Sequence, residues 1–120
     1  MAMLDEFNYD NLIAGGVAPK VTDGVTLASG QVYTRGTVLG VVTASGEATI
    51  VDSAQTDGSE TPYAILSEDV DATEAAQAGP VYLTGEFNEL ALTFGGTDTA
   101  DDHRTALRDK GIFLKKNIKA

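Results

Sequence analysis

His103 is the only histidine of the chain and the first candidate for acid–base chemistry. A general base needs a nucleophile or an orienting carboxylate beside it, at a position that the fold sets. Asp101 and Asp102 precede it directly, but consecutive residues of a helix do not face one another. The sequence therefore favours a surface histidine in the first turn of a helix, and it predicts no catalytic residue.

Acidic clusters are the candidates for binding a metal ion. The runs EDVD (68–71) and DTADD (98–102) carry the oxygen ligands that Ca²⁺ prefers. Neither run fits the D-x-[DN]-x-[DN]-G loop of the calcium-binding hand, so solvated loops are favoured. The chain has no Cys, which excludes thiolate zinc sites and disulfides. We therefore expect no metal site.

Two further kinds of active site would bind a phosphate or a sugar. The run TFGGTDT (93–99) is rich in Gly, but it has no Lys and no G-x-G-x-x-G pattern, so a phosphate cradle is disfavoured and no cofactor is expected. Carboxylates paired in space for glycoside hydrolysis stay open, because spacing along the chain does not reveal them. A small domain without Trp offers little platform for a sugar. A structural or binding role is favoured over catalysis.

The elements that hold these residues belong to one domain. The chain has 120 residues, of which 42% are hydrophobic, enough for a single core. No apolar run approaches the roughly 18 residues of a membrane span. Residues 1–11 (MAMLDEFNYDN) lack the basic and apolar regions of a signal peptide. We therefore expect a soluble protein made in the cytoplasm, with no membrane partner.

The clearest strand signal is a hairpin. GTVLGVVT (36–43) is a nearly continuous apolar run, typical of a strand buried on both faces. ASG (44–46) predicts a turn, and EATIVD (47–52) alternates as the second strand. Gly40 lies inside the apolar strand, which indicates a bulge or the close approach of another backbone, within the chain or across subunits.

Other short strands and one helix complete the pattern. Asp23-Gly24 predicts a turn. Thr99 as N-cap, Asp102 at the third helical position and Gly111 after the last turn predict a helix over about 100–110. The sum is a mainly β fold with one short C-terminal helix, α+β by some schemes. Further strands are predicted within 25–33 and at 63–66, 81–88, 89–94 and 112–116.

Residues 1–19 are predicted to form a flexible arm ahead of a β-rich domain at 20–120. Gly15-Gly16 provides a joint, and Pro19 disfavours helix in the residue before it. Two interpretations stay open, a frayed terminus and a strand that pairs with a partner's exposed sheet edge. The apolar side chains of the arm are Phe7, Tyr9, Leu12 and Ile13.

Charge is distributed unevenly within a net charge of −10. Residues 1–103 contain 17 acidic and 2 basic residues, whereas residues 104–120 contain 6 basic and 1 acidic. The acidic part would repel nucleic acid, so no nucleic-acid partner is expected. The basic end is interpreted as a solvated edge, or as a partner for the acidic remainder, rather than as an anion site.

The order of the segments resembles the head decoration protein family of lambda-like tailed phages. The matching motifs are the G-x-V-L-G strand at 36–40, the segment DGSETPYAIL at 57–66 and the Gly85-Glu86-Phe87-Asn88 turn. The resemblance covers roughly residues 11–120, including NLIAGG before the domain and the late helix.

This resemblance implies a β-clip type fold and a homotrimer without enzymatic activity. Trimers of that family sit at the three-fold and quasi-three-fold positions of the expanded head, on the outer surface of the virion. There they clamp neighbouring major capsid proteins against internal DNA pressure, after synthesis in the host cytoplasm. The arm orders on the capsid, the strand-addition mode left open above. By this resemblance the capsid-binding arm contains Phe7, Tyr9, Asn11, Leu12 and Ile13.

Two other functions stay open beside the decoration role. A similar β-clip scaffold serves trimeric nucleotide hydrolases of the dUTPase kind, which build their sites between subunits. The chain has no Asp-containing motif placed like that of the hydrolases. The third function is a small binding module on a secreted or surface assembly, for which the sequence carries no signal of a ligand pocket.

Overall fold

The computed structural model describes residues 12–13 and 20–115, with side chains from residue 24 onward in the second range. Strands dominate these residues, and one short α-helix lies near the C-terminal end. The prediction of a mainly β fold with one short C-terminal helix is confirmed. The elements in chain order are β1 (Lys20–Leu27), β2 (Val32–Tyr33), β3 (Val38–Val41), β4 (Ala48–Ile50), β5 (Pro62–Leu66), β6 (Val70–Asp71), β7 (Gln77–Asn88), a 3₁₀ helix (Glu89–Ala91), α1 (Ala100–Asp109) and β8 (Ile112–Lys115).

The main sheet closes on itself through its longest strand. Its order is β1-β4-β3-β5-β7-β8, and β1 pairs with β7 as well, so that five strands form a small barrel. The twelve residues of β7 pair in turn with β1, β5 and β8. β2 and β6 form a separate two-stranded sheet. Within the described residues, no helix has the length and apolar character needed to cross a membrane.

Two core clusters use alternate residues of the same strands. Val38 of β3 packs in one cluster and Leu39 in the other, and Ile65 and Leu66 of β5 divide in the same way. All four side chains are fully buried. Because successive side chains of a strand point to opposite faces, β3 and β5 are covered on both sides. This explains the continuous apolar run at 36–43.

The predicted hairpin is confirmed, because β3 and β4 pair antiparallel. Gly40 stands where β3 changes its pairing with β5, since the register shifts between Leu39 and Gly40. A Cβ at Gly40 would also lie 2.8 Å from the Cα and the carbonyl carbon of Ser59. The bulge and the close backbone approach are therefore both present, and the approaching backbone belongs to the same chain.

The predicted helix is confirmed at both ends. The Thr99 backbone N–H donates to the Asp102 carboxylate at 2.7 Å, which satisfies a donor that the first turn leaves without a partner. At the other end Lys110 is the C-cap, and Gly111 follows with a φ of 88°. That left-handed conformation is strained for other residues, which is why Gly ends the helix there.

Two predicted turns are wrong, because both sequences lie inside strands. Asp23-Gly24 falls within β1. The pairing of β1 with β7 has an irregular register between Val21 and Asp23. The Gly85–Asn88 sequence, a turn by the resemblance, falls within β7 and pairs residue by residue with β8, which confirms the strand predicted at 81–88. In both places pairing with a distant strand overrides a local preference.

The strand predicted at 89–94 is also wrong over its first half. Residues Glu89–Ala91 form a 3₁₀ helix, and Thr93 makes only an isolated bridge to Thr37. The Asn88 side-chain oxygen accepts a hydrogen bond from the Leu90 N–H at 3.1 Å and turns the chain out of the sheet. Leu90 is 50% exposed, so its place in the apolar alternation does not correspond to a buried sheet face.

Replacing Gly40 with Ala tests the close approach of Ser59. We expect Gly40→Ala to lower the free energy of unfolding by roughly 1–3 kcal/mol, because a Cβ there overlaps backbone atoms. The matched control is Gly24→Ala, whose Cβ would meet the Gly79 carbonyl oxygen at 3.4 Å, an ordinary contact. Urea unfolding followed by circular dichroism measures both variants. Equal stabilities of the two variants would contradict the bulge assignment.

Candidate functional site

The root of the predicted arm is built into the domain. The Asn88 N–H donates to the Leu12 carbonyl at 2.7 Å, and Ile13 forms an antiparallel bridge with Phe87 of β7. The Leu12 side chain is 2% exposed and belongs to the same core cluster as Phe87 and Ile112. A buried leucine in this position fixes the point from which residues 1–11 begin.

The five predicted capsid-binding residues are divided by this arrangement. Phe7, Tyr9 and Asn11 lie outside the described residues. Leu12 and Ile13 pack against the domain, with Leu12 buried and Ile13 partly buried. The capsid-binding role of the five residues stays a prediction. Within that prediction Leu12 acts as an anchor on the domain, because its side chain is turned into the core.

The expectation for His103 as a surface residue is wrong. The residue is 3% exposed, and its Nε2 lies 2.7 Å from the Asp98 carboxylate. Its ring stacks on Phe94, with centroids 5.6 Å apart and an angle of 7° between the planes. The partner carboxylate is therefore Asp98, five positions earlier and before the helix, rather than Asp101 or Asp102.

Ser53, which is itself exposed, completes a polar cluster around the same carboxylate. Its hydroxyl donates to Asp98 at 2.6 Å and its backbone N–H donates at 2.7 Å. The order of contacts is serine, carboxylate, histidine, so the hydroxyl and the imidazole both bond to Asp98. A nucleophile needs the base next to its own hydroxyl. The cluster instead ties the loop after β4 to the start of α1.

The pKa of the Asp98 carboxyl is lowered within this cluster. Burial raises the pKa, but the hydrogen bonds from Ser53 and His103 lower it by more. The side chain is only 4% exposed, so these hydrogen bonds operate away from solvent. The carboxylate is therefore the stable form in the folded protein, as its role as a hydrogen-bond acceptor requires.

The acidic run at 68–71 also serves the fold. Asp69 accepts the Arg35 backbone N–H at 2.7 Å, and Asp71 accepts both the N–H and the hydroxyl of Thr73. The hydrogen bond from the Thr73 hydroxyl lowers the pKa of Asp71, and the one from its N–H adds to this. Within the described residues, no three or more Asp, Glu or His side chains are grouped as metal ligands.

Arg35 links this loop to the barrel. Its guanidinium donates to the Ser67 carbonyl at 2.7 Å and to the Tyr82 hydroxyl at 3.0 Å, and it lies 5.5 Å from the centre of the Tyr82 ring. The group thus joins the loop after β5 to a strand of the barrel, as Asp98 joins the loop after β4 to the start of α1. Both hold surface segments in place.

Two shallow depressions on the surface are lined mostly by polar side chains. One lies over the loop at 71–77 and the other between β4 and the loop at 52–59. In each depression a hydroxyl donates to a carboxylate, Thr73 to Asp71 and Ser59 to Asp57, and these hydrogen bonds lower the pKa of both carboxyls, which makes the carboxylates weak bases. The described surface instead offers an anchored arm root and exposed apolar side chains at Val32, Tyr63, Leu90 and Phe113. An arm whose root is held in the core suits binding to another surface.

Comparison with known proteins agrees with a structural or binding role. The family model of the bacteriophage lambda head decoration protein D matches residues 5–112. No individual curated protein matches the chain. The match begins within the residues that precede Leu12 and ends at the first residue of β8, so it spans both the arm and the barrel.

Shortening Leu12 tests whether it anchors the arm. We expect Leu12→Ala to lower the free energy of unfolding by about 2–5 kcal/mol, the usual cost of truncating a fully buried leucine. Ile13→Ala is the matched control and should cost less, because Ile13 is only partly buried. Thermal and urea unfolding measure both. A loss for Leu12→Ala no larger than that of the control would show that the root is not held in the core.

Asp98→Asn tests the buried cluster through its pH dependence. We expect a loss of about 1.5–3 kcal/mol near neutral pH, because charge-assisted hydrogen bonds are removed. The folded-state pKa of Asp98 lies below the ordinary value of 3.8, so its contribution is complete above that value and is lost as the pH falls through the folded-state pKa.

The measurement is the difference in unfolding free energy between the two proteins, from about pH 6 to about pH 2. Asp57 and Asp71 also have lowered pKa values, but both proteins contain them, so their contributions cancel. Below about pH 4 the difference should shrink as the Asp98 carboxyl takes up its proton. A difference that does not change on acidification would contradict the assigned role of the Asp98 carboxylate.

Proposed function

Because the chain belongs to the family of the bacteriophage lambda head decoration protein D, we propose that it binds the expanded phage head as a homotrimer and stabilises the head against internal DNA pressure. Membership supports a phage head decoration protein with its place on the virion capsid. The proposal adds the trimer, the three-fold and quasi-three-fold sites, the outer surface and the major capsid protein as partner.

The observation that carries the proposal is the anchored arm root. Leu12 is buried against β7, so residues 1–11 extend from a fixed point on a rigid barrel. Phe7 and Tyr9 are two positions apart, so an extended arm presents both on one face. Main-chain pairing with an exposed sheet edge provides affinity, and two aromatic pockets provide specificity.

A trimer multiplies this attachment. Three arms on one body bind neighbouring capsid subunits with a high effective concentration once the first arm is bound, so three weak contacts hold firmly. A three-fold body on a three-fold site also repeats the same contact without strain. The net charge of −10 opposes unspecific association of the free protein before it meets a head.

We further propose that the protein has no catalytic activity. The family is structural. The serine and histidine around Asp98 both bond to the carboxylate and stabilise the fold, as described above. No observation favours the nucleotide-hydrolase alternative, and a screen for nucleotide turnover by the purified protein addresses it directly.

The arm is tested with the double variant Phe7→Ala, Tyr9→Ala. The unmodified protein should co-sediment with expanded heads and not with unexpanded ones. We expect the double variant to bind expanded heads at least about tenfold more weakly, because two aromatic anchors are removed. Circular dichroism should be unchanged, since the substituted residues precede the buried Leu12.

Val32→Ala is the matched control, because Val32 is 54% exposed on β2, away from the arm root. Its binding should equal that of the unmodified protein. Undiminished binding by the double variant would remove the arm from the proposal. Failure of the unmodified protein to bind expanded heads would overturn the proposed function itself.

A further inference from the structure

The chain contains two Asp-Gly sequences, Asp23-Gly24 and Asp57-Gly58. Such a sequence is prone to spontaneous rearrangement of its peptide bond, because Gly has no side chain to shield its amide nitrogen. Asp23-Gly24 lies inside β1, where pairing with β7 holds the backbone extended. Asp57-Gly58 lies in the loop between β4 and β5, and Asp57 is exposed. The loop therefore contains a candidate site of chemical modification.

The rearrangement takes place within the chain and needs only water. The Gly58 nitrogen attacks the Cγ of the protonated Asp57 carboxyl, and the carboxyl hydroxyl leaves with the amide proton as water. The product is a succinimide ring, which a second water molecule opens. Opening at the main-chain carbonyl leaves an isoaspartate, in which the backbone runs through the former side chain and is longer by one carbon.

Hydrogen bonds hold both reacting groups in this loop. The Gly58 N–H donates to the Glu60 carboxylate at 2.8 Å. The Asp57 carboxylate accepts the Ser59 hydroxyl at 2.6 Å and the Ser59 N–H at 3.0 Å. The hydroxyl and, after it, the N–H lower the pKa of Asp57, so the carboxyl stays ionised. An ionised carboxylate is a poor electrophile, and the bond to Glu60 keeps the amide in place. The fold thus opposes the first step at both partners.

The backbone around Asp57-Gly58 has no room for an additional carbon. The Asp57 carbonyl accepts the Thr43 N–H at 2.8 Å. On the other side of Gly58, Ser59 is fully buried, and its backbone lies against Gly40 of β3. Gly58 itself has a φ of 109°, and a Cβ there would lie 2.7 Å from the Val41 carbonyl oxygen. A longer backbone between these contacts would have to break one of them, so isoaspartate would loosen the loop from β3.

We propose that Asp57-Gly58 is a site of isoaspartate formation that the fold suppresses, with Glu60 and Ser59 as the protecting residues. Rearrangement then requires local opening of the loop, in which both side chains release their partners. In the proposed function a bound copy must last as long as the particle, so these two residues set its durability. That consequence rests on the proposed function, whereas the chemistry does not.

The site is tested by ageing the purified protein at mildly acidic pH. Isoaspartate is measured at each position by peptide mass spectrometry with electron-transfer fragmentation, which distinguishes it from aspartate of the same mass. In guanidinium chloride we expect both Asp23 and Asp57 to rearrange. In the folded protein rearrangement at Asp57 should be at least about tenfold slower, because the loop must open first. Equal rates at Asp57 in the folded and the unfolded chain would overturn the proposal.

Glu60→Ala tests the protecting role directly. We expect rearrangement at Asp57 of the folded variant to be about tenfold faster than in the unmodified protein, because the Gly58 N–H loses a charged acceptor. Glu60→Gln keeps an oxygen acceptor and should stay close to the unmodified protein. Glu74→Ala is the matched control, since it makes the same change at an exposed glutamate in the loop between β6 and β7. Its rate at Asp57 should be unchanged.

Asp23 in the same molecules separates local from global effects. Global destabilisation speeds rearrangement at both aspartates, whereas loss of the Glu60 acceptor speeds it at Asp57 alone. Ser59→Ala is the second variant, and it should speed only Asp57, because the carboxyl then takes up a proton more readily.

Three results would contradict the protection. An unchanged rate at Asp57 in Glu60→Ala would show that the acceptor has no effect. A slower rate would make Glu60 a base that takes the Gly58 proton. Equal acceleration at both aspartates in Glu60→Ala and in Ser59→Ala would assign the effect to unfolding. A failure of head binding in the co-sedimentation leaves all these readings unaffected.

Discussion

Closure of the sheet through β7 is the constraint on which the rest of the structure depends. This strand bonds to β1, β5 and β8 and also to the backbone of Leu12. It contributes Val81 to one core cluster and Phe87 to the other. The barrel, the packing of α1 and the root of the arm therefore share one support. A body built in this way is stiff, which suits a protein whose proposed work is to hold other subunits in place.

Hydrogen bonds of polar side chains hold in place the loops around the apolar core. Asp98 accepts hydrogen bonds from a loop and from the helix, and Arg35 donates to a loop carbonyl and to a strand side chain. Each joins segments that lie far apart in the sequence, and each is satisfied by several partners, as buried polar groups must be. Residues that could have formed a reactive site are thereby used to position loops. In the proposed function, attachment is carried by the arm rather than by these residues.

The periodic and local features could be predicted from the sequence. The hairpin around Gly40 and the capped helix follow from apolar patterning and end signals that act within a few residues. The turns assigned at Asp23-Gly24 and at 85–88 failed because partners more than twenty positions away decide those conformations. The burial of His103 was missed for the same reason, since Ser53 and Phe94 come from other parts of the fold. The one signal in the sequence for the contact between Asp98 and His103 was their spacing, since the two residues lie on either side of the helix start.

The pairing of β1 with β7 and of β7 with β8 also determines when the protein can fold. Lys20 pairs with Thr84. Ile112 belongs to the second core cluster and comes from β8, the last strand described. During synthesis Lys20 of β1 is made 64 residues (84 − 20) before Thr84 of β7, with which it pairs. Because such long-range pairings form late in folding, the barrel cannot close until β7 has been made. A chain that stops before β7 lacks the strand that closes the sheet, so it cannot form the barrel.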